Sequence, residues 1–121
     1  MTITPKRGEI YLVSFDPTIG HEIKKTRPAV IIQNNIGNQY SPTVIVAAIT
    51  SGIKTVYPVQ VLIKPPQAGL KKVSIVNLAQ IRTIDKRRMG RRLGQLKPEV
   101  MKEVDKALLI SLALPPYSTL G

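Results

Sequence analysis

The sequence predicts a single small domain, mainly β, that ends in one C-terminal helix. Six short runs rich in β-branched and aromatic residues, separated by proline and glycine, predict strands. A later segment repeats apolar residues every four positions, as an amphipathic helix does. The chain has 121 residues, 43% of them hydrophobic, which is enough for one core. We therefore treat residues 1–121 as one domain.

The first predicted strand covers residues 9–15 and stops at Asp16-Pro17. Residues 16–27 show neither a strand nor a helix period and contain proline, glycine and clustered charge, which predicts a long loop. Because long loops in small domains commonly carry function, this loop is a candidate for functional residues.

Residues 28–33 and 43–49 are continuous apolar runs, too short for helices and rich in β-branched residues. They predict central strands that are buried on both faces. Residues 34–42 between them are polar, and Ile36 and Tyr40 stand four positions apart, which predicts one short helical turn.

Further strands are predicted at residues 57–63, 73–78 and 80–84. They bring the number of strands to six. Six short strands predict a small barrel.

The helix is predicted from Pro98, because proline suits the first helical position. Its apolar stripe contains Val100, Val104, Leu108 and Leu112. Pro115-Pro116 ends it, and Lys97 is a poor N-cap, so we expect packing to stabilise this helix more than capping does.

Basic side chains far outnumber acidic ones. The 18 lysines and arginines against 7 aspartates and glutamates give a net charge of +11. Residues 1–97 carry 16 basic and 4 acidic side chains, whereas residues 98–121 carry 2 and 3, so the excess belongs to the β part. This distribution predicts a polyanionic partner for the main body of the domain.

Composition also excludes several kinds of chemistry. The absence of cysteine excludes disulfides and thiolate sites, and one histidine cannot build a zinc site. The acidic residues form no short-range cluster suited to magnesium, which favours a mechanism without metal or cofactor. No apolar run approaches the ~20 residues that span a bilayer, and the N-terminus lacks an apolar signal segment, so we expect a cytoplasmic protein.

RNA can be cleaved without a metal because its 2′-hydroxyl can attack the adjacent phosphorus. That hydroxyl must be deprotonated, and the charge that develops on phosphorus must be neutralised. Arginine, threonine and histidine side chains can meet these needs. DNA lacks the 2′-hydroxyl and would stay intact.

Five motifs in one order resemble those of the MazF/PemK-type toxin endoribonucleases. They lie at residues 6–11 (KRGEIY), 16–22 (DPTIGHE), 26–32 (TRPAVII), 47–51 (AAITS) and 80–85 (QIRTID). Each motif alone is weak evidence, but their common order is specific. The resemblance implies a small SH3-like barrel with a C-terminal helix and the sequence-selective, metal-independent cleavage of single-stranded RNA such as mRNA. It also implies a homodimer and an acidic antitoxin partner.

The resemblance carries two catalytic residues over by motif. Arg27 matches the family's catalytic arginine, and Thr50 matches the threonine or serine beside it. Arg27 offers a planar fork of donors to the scissile phosphate, and Thr50 offers a hydroxyl that can position the nucleophile. The structural alternatives are a solvated loop cation for Arg27 and a strand-end residue for Thr50.

His21 matches a position that is histidine in some family members, and histidine is the side chain that ordinarily titrates nearest neutrality. It is a candidate for proton transfer, with contact to the RNA backbone or a base as the alternative. Ala79 stands where some members carry an acid proposed as a base. That acid cannot serve here.

The candidate RNA-binding residues are Lys24, Lys25, Gln80, Arg82, Lys86 and Arg87. The basic run at residues 86–92 is dense enough to bind phosphates, and its alternative is an edge strand or hairpin protected by charge.

Two other functions remain open at this point. One is a non-catalytic toxin of similar fold, related to CcdB, that poisons a protein target. The other is a basic RNA-binding barrel. Arg27 together with Thr50 favours the nuclease.

Overall fold

The apolar runs form a six-stranded antiparallel sheet in the computed structural model, which describes residues 4–52 and 55–117. The strands are β1 (Glu9–Ser14), β2 (Thr26–Ile31), β3 (Thr43–Ser51), β4 (Gln60–Ile63), β5 (Ser74–Asp85) and β6 (Met89–Gln95). The helices are α1 (Asn35–Tyr40) and α2 (Pro98–Ser111). The strand order is β4-β5-β3-β2-β1-β6, so β4 and β6 are the edges. The predicted fold class, mainly β with a C-terminal helix, is confirmed.

Side chains of the central strands alternate between two apolar clusters, one on each face of the sheet. On β2, Ala29 and Ile31 belong to one cluster, whereas Val30 belongs to the other. Helix α2 covers the second cluster with Val104 and Ala107. The prediction that the central strands are buried on both faces is therefore confirmed.

Two strand predictions were wrong in detail. Residues 73–78 and 80–84 were predicted as separate strands, but they form the single strand β5, interrupted only by a bulge around Ala79. The sixth strand is β6, whose first residues belong to the basic run. Because β6 is an edge of the sheet, its position fits the alternative of an edge strand protected by charge, and whether the run binds phosphates stays a prediction.

Both predicted helices are present, but the predicted end of the C-terminal one was wrong. Helix α1 lies inside residues 34–42, and α2 begins at Pro98, with no side-chain cap from Lys97. Helix α2 ends at Ser111, earlier than Pro115, because Ala113 takes a left-handed conformation with φ 54°.

At Gly69 and Gly94, the 3-10 turn after β4 comes into close contact with the other edge strand, β6. The 3-10 turn Gln67–Gly69 follows β4 and packs on β6. A Cβ on Gly69 would overlap the carbonyl oxygen of Leu93, and a Cβ on Gly94 would lie 2.5 Å from the carbonyl of Ala68. The backbone of the 3-10 turn therefore touches that of β6. Among the described residues, no hydrogen-bonded ladder joins β4 to β6 there. The predicted small barrel is a curled sheet, closed by this contact and not by a ring of hydrogen-bonded strands.

Candidate active site

A cleft of about 260 Å³ opens at the ends of β2 and β3. Its lining residues are Thr26, Arg27, Pro28, Ile49, Thr50, Ser51, Leu70, Lys71, Lys72 and Ser74. The two residues predicted to be catalytic, Arg27 and Thr50, thus line the same cleft.

Strand pairing explains this proximity. The β2–β3 ladder pairs Ala29 with Ala48. Arg27 and Thr50 each lie two residues beyond that pair, so the antiparallel pairing brings both to the same end of the sheet, where they line the cleft.

Arg27 lies in a strand and not in the predicted loop, because it pairs with Val13 of β1. Its Nε donates a 2.9 Å hydrogen bond to the carbonyl oxygen of Lys24. Among the described residues, its two terminal nitrogens make no hydrogen bond or ion pair. The backbone thus orients a guanidinium whose outer edge can take an anion.

The cleft is strongly cationic. Arg27, Lys71 and Lys72 line it, and no carboxylate is among its lining residues. Sequence reasoning missed the two lysines, which follow the turn at Gly69 and lead into β5. The β3–β5 ladder pairs Ser51 with Ser74 and so brings this segment beside Thr50. In the sequence, the only sign of these lysines is two adjacent cations between predicted strands. That sign does not point to a site until the strand pairing is known.

Three predicted site residues, His21, Lys24 and Lys25, lie exposed on the loop of residues 16–25 between β1 and β2. None of the three is among the residues that line the cleft. The backbone of this loop nevertheless contacts a cleft residue, because the carbonyl of Lys24 accepts the hydrogen bond from Arg27 Nε.

Gln80 and Arg82, predicted to bind RNA, contact the same loop. The amide of Gln80 accepts from the backbone N–H of Ile23 at 3.2 Å and donates to the carbonyl of His21 at 3.5 Å. Arg82 Nη1 donates to the carbonyl of Phe15 at 2.6 Å. Both residues therefore have backbone partners at the base of the loop.

The structure places Lys86 and Arg87 at the far end of β5, away from the cleft. Lys86 Nζ donates to the carbonyl of Asn38 at 2.6 Å, and Arg87 Nε donates to the carboxylate of Asp85 at 3.0 Å. Hydrogen bonds from the side chain and the backbone N–H of Arg87 lower the pKa of Asp85. These two cations are not brought together with Arg27.

Other cations of the basic run also have internal partners. Arg88 Nη1 donates to the carbonyl of Ser14 at 3.1 Å, and Arg92 Nε donates to Glu9 at 2.7 Å. Part of the excess charge thus fastens β6 and the turn before it to the sheet.

Over residues 4–52 and 55–117, no group of three or more His, Cys, Asp or Glu side chains is arranged to hold a metal ion. No helix in the same ranges is long and apolar enough to cross a membrane.

Comparison with known proteins gives consistent similarities. A family model described as PemK-like, MazF-like toxin of type II toxin-antitoxin system matches residues 6–112. Endoribonuclease EndoA of Bacillus subtilis strain 168 is 47% identical over 110 residues, covering 90% of this chain and 95% of that protein. MazF from Deinococcus radiodurans is similar with a TM-score of 0.80 at 26% identity, covering 93% of this chain and 100% of that chain.

A further solved structure is described as an endoribonuclease in complex with its cognate antitoxin from Mycobacterial species. It is similar with a TM-score of 0.76 at 27% identity, and the match covers 92% of this chain and 97% of that chain. The matched residues include all five motifs of the sequence, so the resemblance that those motifs indicated is confirmed. The chain belongs to the family of PemK-like, MazF-like toxins of type II toxin-antitoxin systems.

Proposed function

We propose that this chain is a sequence-selective endoribonuclease, the toxin of a type II pair, that cleaves single-stranded RNA such as mRNA without a metal ion. The observation that carries the proposal is the cleft that holds Arg27 and Thr50 together with Lys71 and Lys72. The relative that is 47% identical is named an endoribonuclease, which supports the same activity.

The donor set of the cleft suits a phosphoryl transfer in which protein cations neutralise the developing charge. The fork of Arg27 binds the non-bridging oxygens of the scissile phosphate, and the charge on these oxygens rises in the transition state. The hydroxyl of Thr50 holds the attacking 2′-oxygen. Lys71 and Lys72 bind the neighbouring phosphates as point charges.

In the proposed step the 2′-oxygen loses its proton and bonds to phosphorus, while the bond from phosphorus to the 5′-oxygen breaks. The leaving 5′-oxygen takes up a proton from solvent water. The products are a 2′,3′-cyclic phosphate and a 5′-hydroxyl. Because Ala79 stands in place of the acid found in some relatives, His21 is the proposed proton acceptor. The exposed loop must carry His21 over the cleft for this role.

The selectivity of the proposed enzyme depends on the loop of residues 16–25. Single strands expose their base edges, which backbone and polar side-chain groups can read by hydrogen bonding. Aromatic residues make up only 4% of the chain, so stacking contributes through few side chains.

The test is the incubation of a long RNA with the purified protein in EDTA, followed by mapping of the new ends by primer extension. We expect cuts at discrete sites, 5′-hydroxyl ends and no cleavage of DNA of the same sequence. Loss of cleavage in EDTA with recovery in magnesium would contradict the metal-free mechanism. Uniform degradation would contradict the selectivity.

The proposed partners are a second copy of this chain and an acidic antitoxin segment that competes with RNA for the cationic cleft. A groove of about 430 Å³ between β4 and α2 and the exposed side chains of Leu62 and Leu112, 40% and 49% accessible, support a dimer interface. The cognate antitoxin complex of the mycobacterial relative supports the second partner.

Light scattering at micromolar concentration should give a dimer mass for the chain alone. Adding an acidic antitoxin peptide should raise that mass and abolish RNA binding at low salt. A monomer would contradict the first partner, and a ternary complex with undiminished RNA affinity would contradict the second.

A further inference from the structure

The register of the β3–β5 ladder contains a wide bulge. Two consecutive residues of β3, Ala47 and Ala48, pair with Ile81 and Asn77 of β5. Residues 78–80 therefore have no pairing partner opposite them on β3. Bulges re-aim side chains away from the direction that regular pleating would impose.

Contacts within β5 and from two other elements hold this bulge in place. The side chain of Asn77 accepts from the N–H of Ala79 at 3.0 Å. The carbonyl of Leu78 accepts from the hydroxyl of Ser111 at 2.8 Å, and the N–H of Leu78 donates to Val59 at 2.9 Å. The end of α2 and the segment before β4 thus satisfy both backbone groups of Leu78, so the bulge is a built feature of the fold.

Gln80 is the last residue of the bulge, and both ends of its amide bind the loop of residues 16–25. Its oxygen accepts from Ile23 N, and its nitrogen donates to His21 O. The next residue of the loop, Lys24, supplies the carbonyl that receives Arg27 Nε. A continuous chain of contacts thus runs from the bulge through the loop to the guanidinium in the cleft.

Arg82, two residues further along β5, binds the carbonyl of Phe15, just before the same loop. The N–H of Phe15 in turn donates to the carbonyl of Lys25 at 2.9 Å. β5 therefore contacts the residue before the loop through Arg82 and the middle of the loop through Gln80.

We infer that Gln80 is a positioning residue that acts through this loop, so that it need not touch RNA to support cleavage. Its amide fixes the backbone at His21 and Ile23, and this sets the Lys24 carbonyl that orients Arg27. The catalytic part of this inference rests on the proposed nuclease function. The structural part concerns the free protein.

The decisive variant is Gln80→Met, which keeps the length of the side chain and removes both hydrogen bonds. In the free protein we expect the amide of Ile23 to exchange with solvent at least about fivefold faster, the effect of one ordinary hydrogen bond. Gln80→Glu keeps an acceptor and should restore most of the protection at Ile23. The matched control is Gln39→Met, at an exposed position of α1, which should leave this exchange unchanged.

The same variants are then compared in RNA cleavage. Gln80→Met should lower kcat about tenfold with a smaller change in KM, since it disturbs the orientation of Arg27 rather than a binding contact. Unchanged exchange at Ile23, or faster exchange that extends to the amides of β3, would overturn the inference. Faster loop exchange with normal kcat would overturn the link to Arg27. If the wild-type protein does not cleave RNA, the proposed function fails, while the exchange arm still decides whether Gln80 holds the loop.

Discussion

Arg27→Ala should lower kcat for RNA cleavage by about 10²–10³-fold, the effect of removing one preorganised donor from a charged transition state. Arg27 lines the cleft beside Thr50, and Lys24 O orients its guanidinium. Its side chain is partly exposed, so we expect the fold to survive the substitution with little loss of thermal stability. Single-turnover rates on a defined RNA measure the effect.

Three further variants sharpen this prediction. Arg27→Lys keeps the charge but loses the planar fork, so it should recover only a small part of the rate. Lys102→Ala removes the same charge from an exposed position of α2 and should cleave normally. His21→Gln should lower kcat with little change in KM, because it removes the proposed proton acceptor. Normal turnover by Arg27→Ala would show that the catalytic assignment is wrong.

Gly69→Ala should destabilise the fold by about 3 kcal/mol, which for a domain of this size lowers Tm by roughly 10 °C. Two costs combine at this position. Gly69 has φ +74°, which L side chains rarely adopt, and its Cβ would overlap the carbonyl of Leu93. Because the obstacle is backbone of β6, relief requires the 3-10 turn to move away from the sheet.

The matched control is Gly52→Ala. Gly52 also has a positive φ, +77°, but a Cβ there meets none of the described residues within 4 Å, so only the conformational cost of about 1 kcal/mol applies. Urea denaturation of both variants measures the difference. Equal losses of stability would show that the contact between the turn and β6 contributes nothing.

The central strands were predictable because their information is local. The β-branched runs around Val30 and Val46 indicate strands that are buried on both faces. In the structure, successive side chains of each run alternate between the two apolar clusters. Pro98 likewise marks the start of α2 through its own restricted backbone.

The bulge in β5 was not predictable, since its partners are remote in sequence. Ser111 and Val59 satisfy the backbone of Leu78, and neither can be assigned to it before the sheet and α2 are placed. Without the bulge, Ala79 looked like a gap between two strands.

The candidate site was predicted in part for a similar reason. The sequence motifs identified Arg27 and Thr50 as candidates, but the β2–β3 pairing is what brings them to one cleft. The β3–β5 pairing brings the segment with Lys71 beside them. Charge density also overstates the cations available to a ligand. Lys86 and Arg88 donate hydrogen bonds to backbone carbonyls, so their charges already have partners within the protein. Composition alone cannot tell such a cation from one that is available to a ligand.

The position of β1 between β2 and β6 has a consequence for synthesis. Glu9 pairs with Gln95, so one side of β1 has no hydrogen-bonding partner until the last strand, β6, is made. During translation β1 can pair with β2 early, but its other edge stays open until β6 has left the ribosome. Contacts so distant in sequence form late and slowly. A chain released before Gln95 therefore carries the arginine and threonine of the cleft on an unfinished sheet.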